Sequence, residues 1–207
     1  MSNLFYESFS QERGFGIHKN LAVKLLKKTI EILDEFKIDY FLISGTLLGY
    51  IRHGDFIPWD DDIDIMVDKN ILEKLPLIIK KYGEELYFLY CYNYTLKLCF
   101  KNEGIDVNCD DIKKFCLNGN GYKWPYIDLF YFERHEGKII FFHKEWDTND
   151  IFPLKKVLFN NINAFIPSNS HVFLSKNYGV DYMTTLVSSS YCHKEEKKNN
   201  VCFYIKI

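Results

Sequence analysis

Five aspartates fall within residues 44–67, SGTLLGYIRHGDFIPWDDDIDIMV, and four of them lie between Asp60 and Asp64. Hydrophobic residues flank the cluster on both sides. On a strand, alternate side chains share a face. Asp62 and Asp64 therefore project together, while Ile63, Ile65 and Val67 go to the opposite, core-facing side. Asp60 joins the acidic face if the strand begins early. Two carboxylates this close repel, and one takes up a proton unless a cation sits between them. A hard divalent cation removes the conflict. Magnesium binds one or two carboxylates and leaves positions open for substrate phosphates. The plain alternative is a solvated acidic turn. It fits Asp60 and Asp61 alone better than Asp62-x-Asp64, which Ile, Met and Val surround. An EF-hand calcium loop needs Gly at its sixth position and Glu at its twelfth. Counted from Asp60, those positions hold Ile65 and Ile71, which excludes it.

Upstream, Ser44-Gly45-Thr46 sits between a short apolar run and a helix start. Backbone N–H groups there could hold a phosphate, and Gly45 would admit close backbone approach. An ordinary helix N-cap by Ser44 or Thr46 explains the same residues. With D-x-D on a strand downstream, the pair describes a phosphate cradle beside a metal site. Asp128 is one charge inside the apolar run YIDLF, residues 126–130, where burial without a partner is costly. A further metal ligand and a buried ion pair with a Lys or Arg both answer that cost. Arg52 could neutralise a phosphate oxygen, or pair with Asp55 or Asp60. Lys155 could meet a donor phosphate or simply sit on the surface. Trp59 and Tyr50 could line a base or choline pocket, with core packing the alternative for Trp59. His53, His143 and His171 form no ligand pattern.

These residues need elements to hold them. Helical spacing of Ala22, Leu25, Leu26, Ile30, Leu33 and Phe36 predicts a helix over 19–36. Tyr40 to Ile43 reads as a buried strand, Leu47 to His53 as a short helix, Asp62 to Val67 as a strand and Asn70 to Tyr82 as an amphipathic helix. LYFLYCY, TLKLCF, YIDLFYF and KIIFFH read as strands. Turns are expected at 102–104, 118–121 and 136–137, and Tyr178-Gly179 should close a helix with Gly179 at a left-handed position. The pattern predicts an α+β fold, a mixed sheet flanked by helices in a single domain. Its expected parts are an N-terminal segment 1–18, the domain 19–190 and a charged tail 191–207.

The chain has 207 residues, is 47% hydrophobic and 17% aromatic, and carries a net charge of −2. That suits one globular domain and gives no basic excess for nucleic acid. No signal peptide or transmembrane segment is read in it, so a soluble, cytoplasmic protein is expected. The six cysteines (Cys91, Cys99, Cys109, Cys116, Cys192, Cys202) include no C-x-x-C and are expected as reduced, mostly buried thiols. A glycosylation sequon at Asn93 means little without a secretory route.

Residues 45–64, G-T-L-L-G-x-I-R-x-x-x-F-I-P-W-D-D-D-I-D, resemble the signature of the LicD family. That family includes phosphorylcholine transferases of bacterial surface glycans, with fukutin and fukutin-related protein as animal relatives. WPYIDLF at 124–130, FPLKK at 152–156, IP at 166–167 and YGVDYM at 178–183 look similar to it as well. Together they run from about residue 20 to 185. The resemblance implies a nucleotidyltransferase-like fold. It implies transfer of a phospho-group, such as phosphocholine or ribitol phosphate, from a CDP-linked donor to a hydroxyl of a glycan or lipid-linked glycan. It carries metal-binding roles to Asp60, Asp62 and Asp64, and a further carboxylate role to Asp128. Asp62, Asp64 and Asp128 would be the catalytic residues, around Mg2+ or Mn2+. Gly45, Thr46, Arg52 and Lys155 would bind substrate. With no stem, anchor or glycan-recognition domain read in it, the chain is expected to use a cytosolic precursor or a partner. Two other readings stay open: a nucleotidyltransferase that releases pyrophosphate, and a non-catalytic glycan- or nucleotide-binding module.

Overall fold

A computed structural model describes residues 14–91, 95–107, 114–141 and 143–187, with backbone strands at 191–192, 197–198 and 204–206. The sequon at Asn93 and most of the charged tail lie outside the described residues, as do the side chains of Cys109, Cys192 and Cys202.

Helix α1, Lys19–Glu35, buries Ala22, Leu25, Leu26, Thr29, Ile30, Ile32 and Leu33 on one stripe, as its spacing demands. It ends where Lys37 takes φ 51° and the Ile38 N–H returns to the Leu33 carbonyl. The chain then enters strand β1, Tyr40–Leu42. The next helix, α2, runs from Ser44 to His53 and is longer than the Leu47 to His53 segment read from sequence. Ser44 takes φ 47°, so a single residue turns the chain and Gly45 and Thr46 already belong to the first helical turn. Neither Ser44 nor Thr46 caps α2; Ile43 holds that position without a side-chain hydrogen bond. Gly54, at φ 69°, closes the helix by donating its N–H to the Tyr50 carbonyl. Gly49 packs so closely on the following turn that a Cβ there would meet the Asp55 carbonyl at 2.6 Å.

Strand β2, Ile63–Asp68, follows, then helix α3, Ile71–Tyr82. Next come β3, Leu86–Cys91, β4, Thr95–Phe100, β5, Ile105–Asp106, β6, Lys114–Cys116, and β7, Lys123–Trp124. The long β8, Ile127–His135, leads to β9, Lys138–Phe141, and β10, Lys144–Asp147. Short helix α4, Thr148–Ile151, precedes the ribbon of β11, Lys155–Phe159, and β12, Ile162–Ile166. Helix α5, Ser170–Tyr178, ends at Gly179 with φ 93° and ψ 165°, a positive φ but not the left-handed helical cap read from sequence.

The main sheet has eight strands, in the path β1-β2-β8-β4-β3-β6 with β9 and β10 added beside β8. The β2–β8 pair is parallel and its neighbours are antiparallel. Period-two alternation divides its faces. Leu129, Leu96, Leu98 and Phe88 face Thr29, Ile32 and Leu33 of α1 and Ile71, Leu75 and Ile78 of α3, around a cavity of only about 10 Å³. Phe41, from β1, packs edge-on against Phe173 of α5 on the other side. The result is an α+β single domain with a mixed sheet flanked by helices.

Candidate metal and phosphate site

The register of β2 on β8 sets Asp64 directly beside Asp128. The register of β4 on β8 sets Lys97 on the other side of Asp128. Three charged side chains thus stand in one row across three adjacent strands, on the face turned away from α1 and α3. Asp62, two residues before Asp64, shares that face. Asp62, Asp64 and Asp128 each offer a carboxylate oxygen, and these atoms all lie within 4.8 Å of one another. Asp62 and Asp64 are half-buried and Asp128 is buried. Hard oxygen donors of this kind suit a divalent cation such as Mg2+ or Mn2+.

The row is held by hydrogen bonds from outside it. The Asp64 N–H donates to Thr46 Oγ1 at 2.9 Å, and the Asp64 carbonyl accepts from the Ile43 N–H. Helix α2 is therefore pinned to the strand that carries the aspartates. Thr46 is only 1% exposed, so its side chain supports Asp64 from inside. The indole Nε1 of Trp124 donates to the Asp61 carbonyl at 2.6 Å and fixes the approach to β2.

Asp60 is not one of the converging three. Its carboxylate lies against Gly45, where an added Cβ would meet Asp60 Oδ2 at 2.1 Å. The missing side chain of Gly45 thus admits a carboxylate to the N-terminal end of α2, where negative charge is favoured. Arg52 donates to the carbonyls of Tyr182 and Thr185, at 3.0 Å each, and so ties α2 to the segment after α5. Asp55, one of its two expected carboxylate partners, takes Lys19. Lys155 is exposed at the start of the β11–β12 ribbon. Trp59 is buried and packs edge-on against His53, while Tyr50 packs edge-on against Phe159. Burial and the nearby Arg52 charge hold the His53 imidazole down at about 4, against an opposing pull from Asp55. Burial pushes the Cys99 thiol up to about 12.

Two residues near this site were read from sequence only as structural parts, Tyr178 in a helix end and Lys97 in a strand, with no role in the site. Tyr178 keeps 44% of its surface exposed. Burial at its hydroxyl, together with the charges of Asp64, Asp60 and Asp62, raises its pKa; a hydrogen bond with the Ser44 side chain opposes that. The second is Lys97, whose Nζ lies 2.6 Å from Asp128 Oδ1 and 2.7 Å from Oδ2. Its signal was in the sequence: TLKLCF carries one charge in an apolar strand, the same pattern that marks Asp128 in YIDLF. The buried ion pair open for Asp128 is therefore present, with Lys97 as its partner, and the same carboxylate stands among the clustered ones.

A family model described as LicD/FKTN/FKRP, nucleotidyltransferase domain, matches residues 37–169. An uncharacterized protein of Rickettsia prowazekii is 30% identical over 155 residues, 75% of this chain and 53% of its own length. The lipopolysaccharide cholinephosphotransferase LicD of Haemophilus influenzae is 29% identical over 113 residues, 53% of this chain and 42% of its own. The human ribitol 5-phosphate transferase FKRP is 47% identical over 36 residues, 17% of this chain and 7% of its own. The chain spans about half the length of the first of these relatives. No helix among the described residues is long and apolar enough to cross a membrane.

Proposed function

The chain belongs to the LicD/FKTN/FKRP nucleotidyltransferase-domain family, and from that premise we propose that it is a metal-dependent phosphotransferase. It moves a phospho-head group, of the phosphocholine or phospho-alditol type, from a CDP-linked donor to a glycan hydroxyl. The observation that carries this reading is the meeting of Asp62, Asp64 and Asp128 within 4.8 Å, with Asp64 set beside Asp128 by the β2–β8 register. A binding module has no need to gather three carboxylates that repel one another. Transferase names among the relatives support the same chemistry.

Asp62, Asp64 and Asp128 would hold one Mg2+ or Mn2+, which when bound polarises the donor's phosphate oxygens and offsets developing charge. Everything else falls to the chain. Thr46 keeps Asp64 in register by accepting its backbone N–H. Gly45 leaves room at the start of α2 for a carboxylate or a phosphate, both anions suited to a helix N-terminus. The donor's diphosphate would lie between that helix end and the aspartate row. Asp128 would receive the acceptor hydroxyl's proton as the oxygen attacks phosphorus. Bringing the reacting oxygen and phosphorus together from two fixed walls supplies much of the acceleration.

The test is phosphorus NMR of the protein with Mg2+ or Mn2+, a glycan acceptor, and CDP-choline, CDP-ribitol or CDP-glycerol in turn. Transfer yields CMP and a glycan phosphodiester, and both should disappear in the Asp62→Ala/Asp64→Ala variant. Pyrophosphate released from CTP with a phosphorylated alcohol would instead identify a nucleotidyltransferase. A folded protein that turns over none of these would refute the phosphotransferase reading.

A further inference from the structure

Lys97 is 8% exposed and Asp128 is 6% exposed, so neither charge can fall back on bulk water. The ammonium meets both oxygens of the Asp128 carboxylate, at 2.6 and 2.7 Å. It therefore takes the direction from which a cation chelates a carboxylate. Its Nζ also sits 3.8 Å from the centroid of the Tyr126 ring, a close cation–π contact. Tyr126 lies two residues before Asp128, and its ring is braced by Tyr122, stacked at 5.2 Å. Asp128 thus faces two cation positions: one among the carboxylates of Asp62 and Asp64, the other already filled by Lys97.

A divalent cation and an ammonium sharing one carboxylate repel strongly in a site with little water. A lysine, unlike an arginine, is a point charge on a flexible stem and changes partners readily. We propose that Lys97 is the site's exchangeable cation. It keeps Asp128 paired before the metal arrives, yields that carboxylate on metal binding, and turns its ammonium to a phosphate oxygen of the donor. The face of Tyr126 keeps hold of the ammonium during the change. Lys97 is then a donor-binding residue in the loaded site and a competitor of the metal in the empty one. This inference rests on the metal-assisted reading above.

The two roles give opposite signs, which makes them separable. Mn2+ affinity without nucleotide is measured by calorimetry on the wild type, Lys97→Met and Lys97→Arg. Met removes the competitor and should tighten Mn2+ binding by roughly five- to tenfold, the scale of one charge contact. Arg keeps the charge and grips the carboxylate with a two-pronged donor, so it should weaken Mn2+ binding below the wild type. In saturating Mn2+, Lys97→Met should lose about tenfold or more in affinity for a CDP-linked donor. If Met instead weakens Mn2+ binding, or leaves donor affinity unchanged, the exchange is wrong and Lys97 is only a brace. If Met does not fold without metal, the Arg variant decides, and Mn2+ affinity equal to or tighter than wild type overturns the proposal. Failure of the wild type to bind Mn2+ at all would remove the metal-assisted reading, and this inference with it.

Discussion

Replacing Asp128 with Asn leaves its shape and removes its charge, and so strands the ammonium of Lys97 in the interior. The side chains of the pair are 10% and 8% exposed, too little for water to take over. Breaking a buried pair from one side costs about 3–5 kcal/mol. For a chain of this size each kcal/mol moves Tm by about 2–4 °C. Asp128→Asn is therefore expected to melt about 6–20 °C below the wild type in metal-free buffer. Removing both charges should restore most of that loss, because the Lys97→Met/Asp128→Asn double variant has no stranded ion. Urea unfolding of the wild type, both single variants and the double closes the cycle and isolates the pair. The reasoning is refuted if Asp128→Asn lies within about 1 kcal/mol of the wild type, or if the double variant is no more stable than the weaker single one. The result also guards the functional tests, since an inactive Asp128 variant means little until its stability is known.

Three further outcomes are expected. Thr46→Val keeps the shape of a buried side chain but leaves the Asp64 N–H without its acceptor, at a cost of about 1–3 kcal/mol. Thr46→Ser keeps that oxygen and should retain more stability than Val in the same denaturant titration. Gly49→Ala would set a methyl 2.6 Å from the Asp55 carbonyl; overpacking of this kind costs about 1–3 kcal/mol, read as a lower Tm. His53 binds its proton at about 4 when folded and near 6.5 when unfolded. The unfolded chain thus holds the extra proton between those values, so this contribution is present above about pH 6.5 and fades as pH falls toward 4. His53→Gln should flatten the pH dependence of stability between about pH 6.5 and 5.

Much of the scaffold was legible because local patterns and burial agree. The stripe of α1, Ala22 to Leu33, and the alternation of Ile63, Asp64 and Ile65 each have one way to bury their apolar side. The shared face of Asp62 and Asp64 was also legible from strand alternation, and the lone charge in YIDLF marked Asp128 as needing a partner; its meeting with the other two was implied only by the resemblance to the LicD family. What was not legible depends on register. Nothing local says that TLKLCF pairs with YIDLF so that Lys97 falls opposite Asp128; that choice belongs to the whole sheet. Asp60 was grouped with the other aspartates by spacing, yet β2 starts at Ile63, and the turn before it sends that carboxylate to Gly45. Ser44 and Thr46 read as part of a phosphate cradle or, by residue type alone, as helix caps. The left-handed φ of Ser44 and the inward bond of Thr46 follow from the close approach of α2 to β2. Tyr178 was read only as a helix end within YGVDYM, because it lies more than a hundred residues from the aspartates whose charges it feels.

The proposed phosphotransfer requires one divalent cation among Asp62, Asp64 and Asp128. Its most direct test is anomalous diffraction from crystals of the protein soaked in Mn2+ with a CDP-linked donor. A single strong peak is expected within coordination distance of one oxygen from each of the three carboxylates, next to the donor's diphosphate, with the Lys97 ammonium moved off Asp128. A peak held by other groups, or none at saturating Mn2+ with the Lys97–Asp128 pair intact, would contradict it.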